Sequence, residues 1–567
     1  MSGATEFSFR SRAEALRKFE NEVFDILVIG GGITGAAAAR DAATRGLKVA
    51  LVEREDFAFG TSSRSSKLIH GGLRYLQNFE LGLVFEALAE RALLLKTAPH
   101  LVKPLPFYLP VYEGDHNGRA ILSMGLWLYD MLSLFRAPGS HRHLSRDSLL
   151  GEIPFLRKEK LKGGFRYFDA SMWDDVLVVQ TLRAARASGA EAANYVEALS
   201  PVWDEERKRI QGFRVKDRLS GQEINLRASR VIVCAGPWTD EVGQRLSPQW
   251  RPWLTPSKGV HLIFDQKRIP VPGAMVMSQP EEKNDNRIAF VIPRPDFGAG
   301  VVIVGTTDGP VGAPHPQGAE VNPEDVHYLM DLLQRYFPDL KLTTSDILSA
   351  YVGVRPLMGS TAGSEGQRDT TTLQKVSREH HIASGPGGTV VVAGGKYTTH
   401  RKMAEEIVEF ALKTWDSAPR HSRSKTHEPI NPAVLSGAVE AMRARASAEG
   451  VQIPPELVER YGAEALEIVK SAGGNSSEDP TGFPYLASQL RHAIRQEMVV
   501  HLEDFYLRRL PLFLSRTDHG LPWAEKLAQV WAEEMGAGET EASAEIDRLR
   551  AEIEKRSAWR KKQVPRG

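Results

Sequence analysis

The chain has 567 residues, more than a single hydrophobic core accommodates, so two or three domains are expected. Its 72 Lys+Arg against 71 Asp+Glu leave a formal net charge of +1, which excludes a global pull toward nucleic acid or anionic lipid and confines any anion site to a local cluster. One cysteine, Cys234, sits in an apolar run; intrachain disulfides and cysteine-rich metal sites are excluded, and a buried inert thiol is expected.

The first twenty residues carry Arg10, Arg12, Arg17 and Lys18 without the apolar block of a secretory signal, so a cytoplasmic chain is expected. Next, DILVI (Asp25 to Ile29) leads into GGGITGAAAARDAATRGLKVALVE: a strand, a glycine turn, a helix over Ile33 to Arg45 and a second strand over Lys48 to Val52. Gly30 permits the sharp turn, Gly32 lets backbone approach a pyrophosphate, and Gly35 allows the helix to pack closely on the sheet. The positive end of the helix then faces the phosphates. Glu53 ends the second strand, placed to accept hydrogen bonds from ribose hydroxyls and to repel a 2'-phosphate, which disfavours NADP. The stretch DFAFGTSSRSSKLIHGGLRYL follows, dense in hydroxyls, glycines and cations where a simple NAD domain would add another strand and helix. An extended loop of this kind suits a long cofactor, with Thr61, Ser62 and Ser65 offering hydrogen bonds along it.

No run reaches the about 20 apolar residues that a membrane-crossing helix needs. The nearest, Met124 to Phe135, contains Asp130 and reads as a helix packed in the core. Strand signals return at Arg230 to Cys234 and at Thr389 to Ala393, each followed by glycine (Gly236; Gly394 and Gly395), and these are expected to join the first two strands in one parallel sheet. Gly212 to Leu226 and Gly259 to Thr307, rich in Val, Ile and Phe, read as antiparallel strands of an inserted substrate domain. Beyond about residue 420 long helices are expected, and the charged tail Glu539 to Gly567 reads as a solvated, fraying helix.

The stretches VIGGGITGAAAARDAATRGLKVALVE, GTSSRSSKLIHGGLRYL, AGPWTD, GVRPL and GGKYTTHRKMAE resemble, in order, the motifs of FAD-dependent glycerol-3-phosphate dehydrogenases over about residues 20 to 535. The resemblance implies an α/β plus α fold: a Rossmann-like FAD-binding domain with an inserted β-rich substrate domain, as in flavoproteins that oxidise amines and hydroxy acids, and a helical C-terminal domain. The expected boundaries are 1–100, 191–255 and 351–420 for the FAD-binding parts, 101–190 for linking helical segments, 256–350 for the cap and 421–567 for the C-terminal helices.

It further implies oxidation of sn-glycerol 3-phosphate to dihydroxyacetone phosphate, with electrons passed to a membrane quinone from the inner face of the cell membrane. A homodimer is a possible assembly, and no nucleic-acid partner is implied. Lys67, His70, Gly236, Gly395 and Thr398 join the cofactor residues. Oxidising a secondary alcohol needs a base for the hydroxyl proton and a hydride acceptor; a phosphate gives the protein a handle for arginine. By resemblance, Arg74, Arg355, Arg378 and Lys396 converge on the substrate beside Tyr75. His261 is the favoured base against a plain strand histidine, Lys258 is placed near the flavin, and of the adjacent His380 and His381 at most one can serve the site. No HExxH or similar spacing supports a metal. A rival reading, an oxidase returning electrons to oxygen, is expected to carry an extra cap insertion, and none is evident; a second, an inert flavin-binding protein, would have lost the cationic positions, and all four keep their charge.

Overall fold

A computed structural model of the chain describes residues 6–72, 80–115, 118–134, 136, 138–279, 287–311, 318–359, 380–415, 417–472 and 482–562. The chain opens with α1 (Phe9–Asn21), β1 (Val23–Ile29), α2 (Ile33–Thr44), β2 (Val49–Val52), β3 (Leu68–Ile69), α3 (Leu81–Thr97), β4 (Val102–Tyr112) and α4 (Arg119–Leu132). It continues through β5 (Arg142–Leu144), α5 (Arg146–Glu152), β6 (Leu161–Met172), α6 (Asp174–Ala187), β7 (Glu191–Ala193), β8 (Val196–Trp203), β9 (Ile210–Asp217) and β10 (Glu223–Val233). Then come α7 (Thr239–Leu246), β11 (Ser257–Asp265), β12 (Ala274–Ser278), β13 (Ile288–Arg294), β14 (Val301–Gly305), β15 (Gly309–Pro310), α8 (Pro323–Tyr336), β16 (Ile347–Arg355), β17 (His380–Ser384), β18 (Val390–Gly394) and α9 (His400–Lys413).

The first sheet runs β17-β18-β10-β1-β2-β7, with β18, β10, β1, β2 and β7 parallel. β1 and β2 are buried almost throughout, as a parallel sheet covered on both faces requires. On one face α2 packs against α6 and α9. Its alanines permit close approach, and a Cβ on Gly35 would lie 1.9 Å from the carbonyl oxygen of Gly30. Gly212 to Leu226 belongs to this sheet and not to the inserted one. β10 runs unbroken from Glu223 to Val233, so its first half pairs antiparallel with β9 while its second half sits parallel to β1 and β18. Composition could not distinguish those two uses of one strand.

The second sheet, β15-β11-β14-β13-β12-β4-β6-β3 with β16 on β11 and β5 on β6, is mixed and mainly antiparallel. Residues 101–190, expected as linking helical segments, are not chiefly helical, because β4 and β6 pair along their whole lengths within this sheet. Pro104, Pro106 and Pro110 in β4 have no N–H to give a helix and are compatible only with extended backbone here. α8 packs beneath this sheet on a core that includes Val260, Leu262, Leu329 and Leu333.

The C-terminal part holds α10 (Ser436–Ala448), α11 (Pro455–Tyr461), α12 (Ala465–Lys470), α13 (Leu486–Gln496), α14 (Leu502–Arg508), α15 (Leu512–Ser515), α16 (Ala524–Met535) and α17 (Glu539–Ser557). Most of these helices are shorter than the sequence suggests. Gly462, at φ +56°, divides one apolar run, and Met498, at φ +50° ahead of two valines, divides another. Nor does the tail fray: Leu549 and Ile553 of α17 are buried, and Trp559 enters the core of the second sheet. The tail is helical as expected, but its inward stripe of Glu545, Leu549 and Ile553 is too sparse to stand out against so many charges.

Candidate active site

A cleft of about 360 Å³ opens at the carboxyl ends of the parallel strands and continues to the face of the second sheet. Gly30, Gly32, Ile33 and Thr34, from the β1–α2 turn, form its floor, so the first amides of α2 face the space. Ser62 Oγ already accepts from Ile33 N at 3.0 Å. Gly30, at φ +113°, is compelled: a Cβ there would lie 2.4 Å from the Cys234 carbonyl oxygen. Glu53 closes this end, with Oε2 accepting from Gly31 N at 2.7 Å and Oε1 from Glu55 N at 2.9 Å. Burial raises its carboxyl to about 7. Beyond it, Trp238, Arg54, Glu197, Glu241 and Arg245 line a polar mouth held by ion pairs such as Arg54–Glu241 at 3.0 Å.

Toward the second sheet the cleft is lined by Thr61, Ser65, His70, Gly236, Gly395, Lys396, Tyr397 and Thr398, and then by His261, Thr306 and Arg355. Thr61 Oγ1 donates to Val354 O at 2.6 Å, Ser65 Oγ to Asp174 Oδ2 at 2.7 Å, and Thr398 Oγ1 bonds the main chain of His70. The Arg355 guanidinium is held by five acceptors: Ser257 Oγ at 3.2 Å, Lys258 O at 3.1 Å, Asp308 Oδ1 at 3.3 Å, Thr306 Oγ1 at 2.9 Å and Thr307 O at 3.1 Å. His261 is buried, stacks on Tyr351 and meets Ser66 Oγ at 2.9 Å through Nε2. Burial, then the charges of Arg355 and Lys67, push it down to about 3, so it is a neutral imidazole.

Two expected residues lie elsewhere. Lys258 turns to α8, bonding Asp325 Oδ2 at 2.6 Å and Glu320 O at 3.0 Å. It is three residues from His261 on β11, and an odd spacing on a strand puts two side chains on opposite faces. Lys67 is buried in an ion pair with Asp174, behind the cleft wall that Ser65 and Ser66 form. Neither His380, bonded to Glu406 Oε2 at 2.7 Å, nor His381, packed on Trp253, lines the cleft. Arg74, Tyr75 and Arg378 fall outside the described residues. The sequence reading missed Ser66, Tyr397, Thr306 and the Trp238 mouth. Ser66 lay in a segment already singled out for its hydroxyls, and Thr306 between glycines, but which hydroxyl faces inward is set by tertiary packing.

The apolar run at α4 also needs correction, since it is not a core helix. Leu126, Tyr129 and Asp130 face inward, whereas Ile121, Met124, Trp127, Met131 and, just beyond, Leu134 are 57, 70, 57, 55 and 52 % exposed. Leu81 and Phe85 of the neighbouring α3 extend the patch. Spacing reveals which residues share a stripe; it does not reveal what covers them. α1 and β4, by contrast, are packed into the fold.

A glycine turn under a helix start, an acid at the second strand and a cleft long enough for a dinucleotide, ending at a β-sheet that carries a histidine and cations, define an FAD-dependent oxidoreductase. Residues 25–401 match the family described as FAD dependent oxidoreductase, and residues 433–542 match the C-terminal domain of alpha-glycerophosphate oxidase. An aerobic glycerol-3-phosphate dehydrogenase of Staphylococcus saprophyticus is 33% identical over 555 residues, 96% of each chain. The chain belongs to the aerobic glycerol-3-phosphate dehydrogenase family. The crystal structure of the glycerol-3-phosphate dehydrogenase from Bacillus halodurans complexed with FAD superposes with a TM-score of 0.76 at 28% identity, over 96% of this chain and 98% of that one. The L-alpha-glycerophosphate oxidase from Mycoplasma pneumoniae shares the fold, with a TM-score of 0.51 at 16% identity over 72% of this chain and 98% of that one.

Proposed function

We propose that the chain oxidises sn-glycerol 3-phosphate to dihydroxyacetone phosphate and passes the electrons to a membrane quinone at the cytoplasmic face of the cell membrane. Bound FAD supplies the hydride acceptor. Gly30, Gly32 and the first amides of α2 hold its diphosphate, Glu53 its ribose, and Gly395 and Thr398 the wall of the reactive end. Arg355 and Lys396 bind the substrate phosphate, assisted by Arg74 and Arg378. His261 takes the hydroxyl proton. The observation that carries the reading is that His261, Arg355 and Lys396 share one cleft with the glycine turn although they come from remote parts of the chain.

Adding glycerol 3-phosphate to the FAD-loaded protein without oxygen should bleach the flavin absorbance; an unchanged spectrum refutes the activity. Reoxidation by a quinone analogue should outpace that by oxygen, and the reverse would support an oxidase. The exposed stripe on α3 and α4 favours membrane delivery, since seven of the ten large apolar side chains exposed among the described residues lie there. Among the described residues no helix is long and apolar enough to cross a membrane. A second copy covering the stripe would instead show as a dimer in detergent-free solution.

A further inference from the structure

Ser66 differs from the other hydroxyls of its segment. Its neighbours are engaged structurally: Thr61 on Val354 O, Ser62 on Ile33 N and Ser65 on Asp174. Ser66 instead places its hydroxyl 2.9 Å from Nε2 of His261, and both residues line the cleft.

The imidazole has little freedom to turn. It stacks on Tyr351 with ring centroids 4.6 Å apart and an interplanar angle of 12°. The Tyr351 hydroxyl is tied to Ser65 O at 2.7 Å. On the other side β14 runs against the ring edge, where a Cβ on Gly305 would lie 2.4 Å from Cδ2. Nδ1 is buried with no partner among the described residues. Nε2 is therefore the ring atom that can exchange a proton with the cleft, and Ser66 Oγ stands on it. The serine is itself pinned, because Ser65 is bonded to Asp174 and Lys67 is ion-paired to the same carboxylate.

We propose that Ser66 and His261 form a two-residue proton relay, in which Ser66 is the group that meets the substrate's secondary hydroxyl. This rests on the functional reading above. The substrate O–H breaks as its proton passes to Ser66 Oγ, while the former Ser66 proton passes to Nε2. C2–H leaves with its electron pair to FAD, the named oxidant, and the C2–O bond becomes a carbonyl. Serine ends as it began, and the net proton rests on His261. The relay requires the tautomer with hydrogen on Nδ1 and a bare Nε2 that accepts from Ser66. The charged groups around the ring are Arg355 and Lys67, and both oppose a lasting imidazolium. Tyr351, also facing it, stays protonated because burial holds it well above its ordinary range.

Two measurements on the FAD-loaded protein test the relay. Nitrogen NMR of histidine-labelled protein, with the His261 signals assigned by their loss in His261→Asn, should show a protonated Nδ1 and a hydrogen-bonded bare Nε2 that shifts in Ser66→Ala. A proton found on Nε2 overturns the proposal. In anaerobic stopped flow, Ser66→Ala should slow flavin reduction on the order of 10²-fold, the scale of positioned acid–base catalysis. Its substrate affinity, flavin content and melting temperature should be unchanged, and Ser66→Thr should recover most of the rate. Unchanged reduction by Ser66→Ala also overturns it. If wild-type flavin is not reduced by glycerol 3-phosphate, the functional reading fails instead, and the NMR measurement still decides the tautomer.

Discussion

Asp56, three residues after Glu53, is fully buried and accepts from Arg508 Nε at 2.6 Å, from Arg509 NH1 and NH2 at 2.9 and 3.1 Å and from Asn194 Nδ2 at 3.1 Å. It thus joins the loop that carries the cofactor hydroxyls to the end of α14. Asp56→Asn keeps the volume but leaves two buried guanidiniums short of one negative charge. Asp504 still bonds Arg508 at 2.7 Å and the Glu497 carbonyl still bonds Arg509 at 2.7 Å, so the compensation is reduced rather than removed. Breaking a buried ion pair costs about 3–5 kcal/mol, and at about 2–4 °C per kcal/mol for a domain of 150–250 residues the variant should melt roughly 10 °C lower. Because the two guanidiniums hold the Asp56 carboxyl well below the usual carboxylate range, its contribution is present above the unfolded pKa and lost only in strong acid, so the deficit should be constant between about pH 5 and 8. Scanning calorimetry with and without FAD is the assay, and FAD affinity should fall with the anchoring of the loop. A variant that melts within about 2 °C of the parent and holds FAD equally would refute the reasoning, as that difference is under about 1 kcal/mol.

Trp127→Glu or Met124→Glu should weaken flotation with anionic vesicles about fivefold while leaving flavin reduction intact, since burying each half-exposed side chain is worth about 1 kcal/mol and five of the seven lie on or just beyond α4; equal flotation would remove the membrane assignment. Arg355→Lys replaces a five-bonded guanidinium with a point charge and should raise KM for glycerol 3-phosphate about a hundredfold, given about 2–3 kcal/mol for charged hydrogen bonds, whereas an unchanged KM would place the phosphate elsewhere. Glu53, raised by burial, binds its proton more tightly folded than unfolded, so its contribution to the cofactor-free protein is full below about pH 4.5 and lost as pH rises through about 7. The melting temperature of Glu53→Gln relative to the parent should therefore climb across that window, and a flat difference would contradict a buried, raised carboxyl.

Local signals were legible where one short segment does one task. The β1–α2 turn and Glu53 were found from residue type and spacing because the glycines meet a steric demand that only they satisfy. β10 was misassigned in part because one strand serves two neighbours. Lys258, placed near the flavin, and Lys67, placed with the cofactor residues, were assigned without sight of their partners; Asp325 lies 67 residues from the first and Asp174 107 residues from the second. The α4 stripe was visible as a stripe, but burial depends on what the rest of the chain brings to it.

The way the ends of the chain are tied has a bearing on synthesis. Arg12 bonds Asn194 O and Asp217, Phe7 O accepts from Met498 N, and β1 is flanked by a strand from near residue 230, itself flanked by one from near residue 390. The first helix and the floor of the cofactor cleft thus wait for polypeptide made hundreds of residues later. A nascent chain still short of residue 390 lacks one wall of the dinucleotide cradle, so the cleft cannot close around a flavin before that point in synthesis.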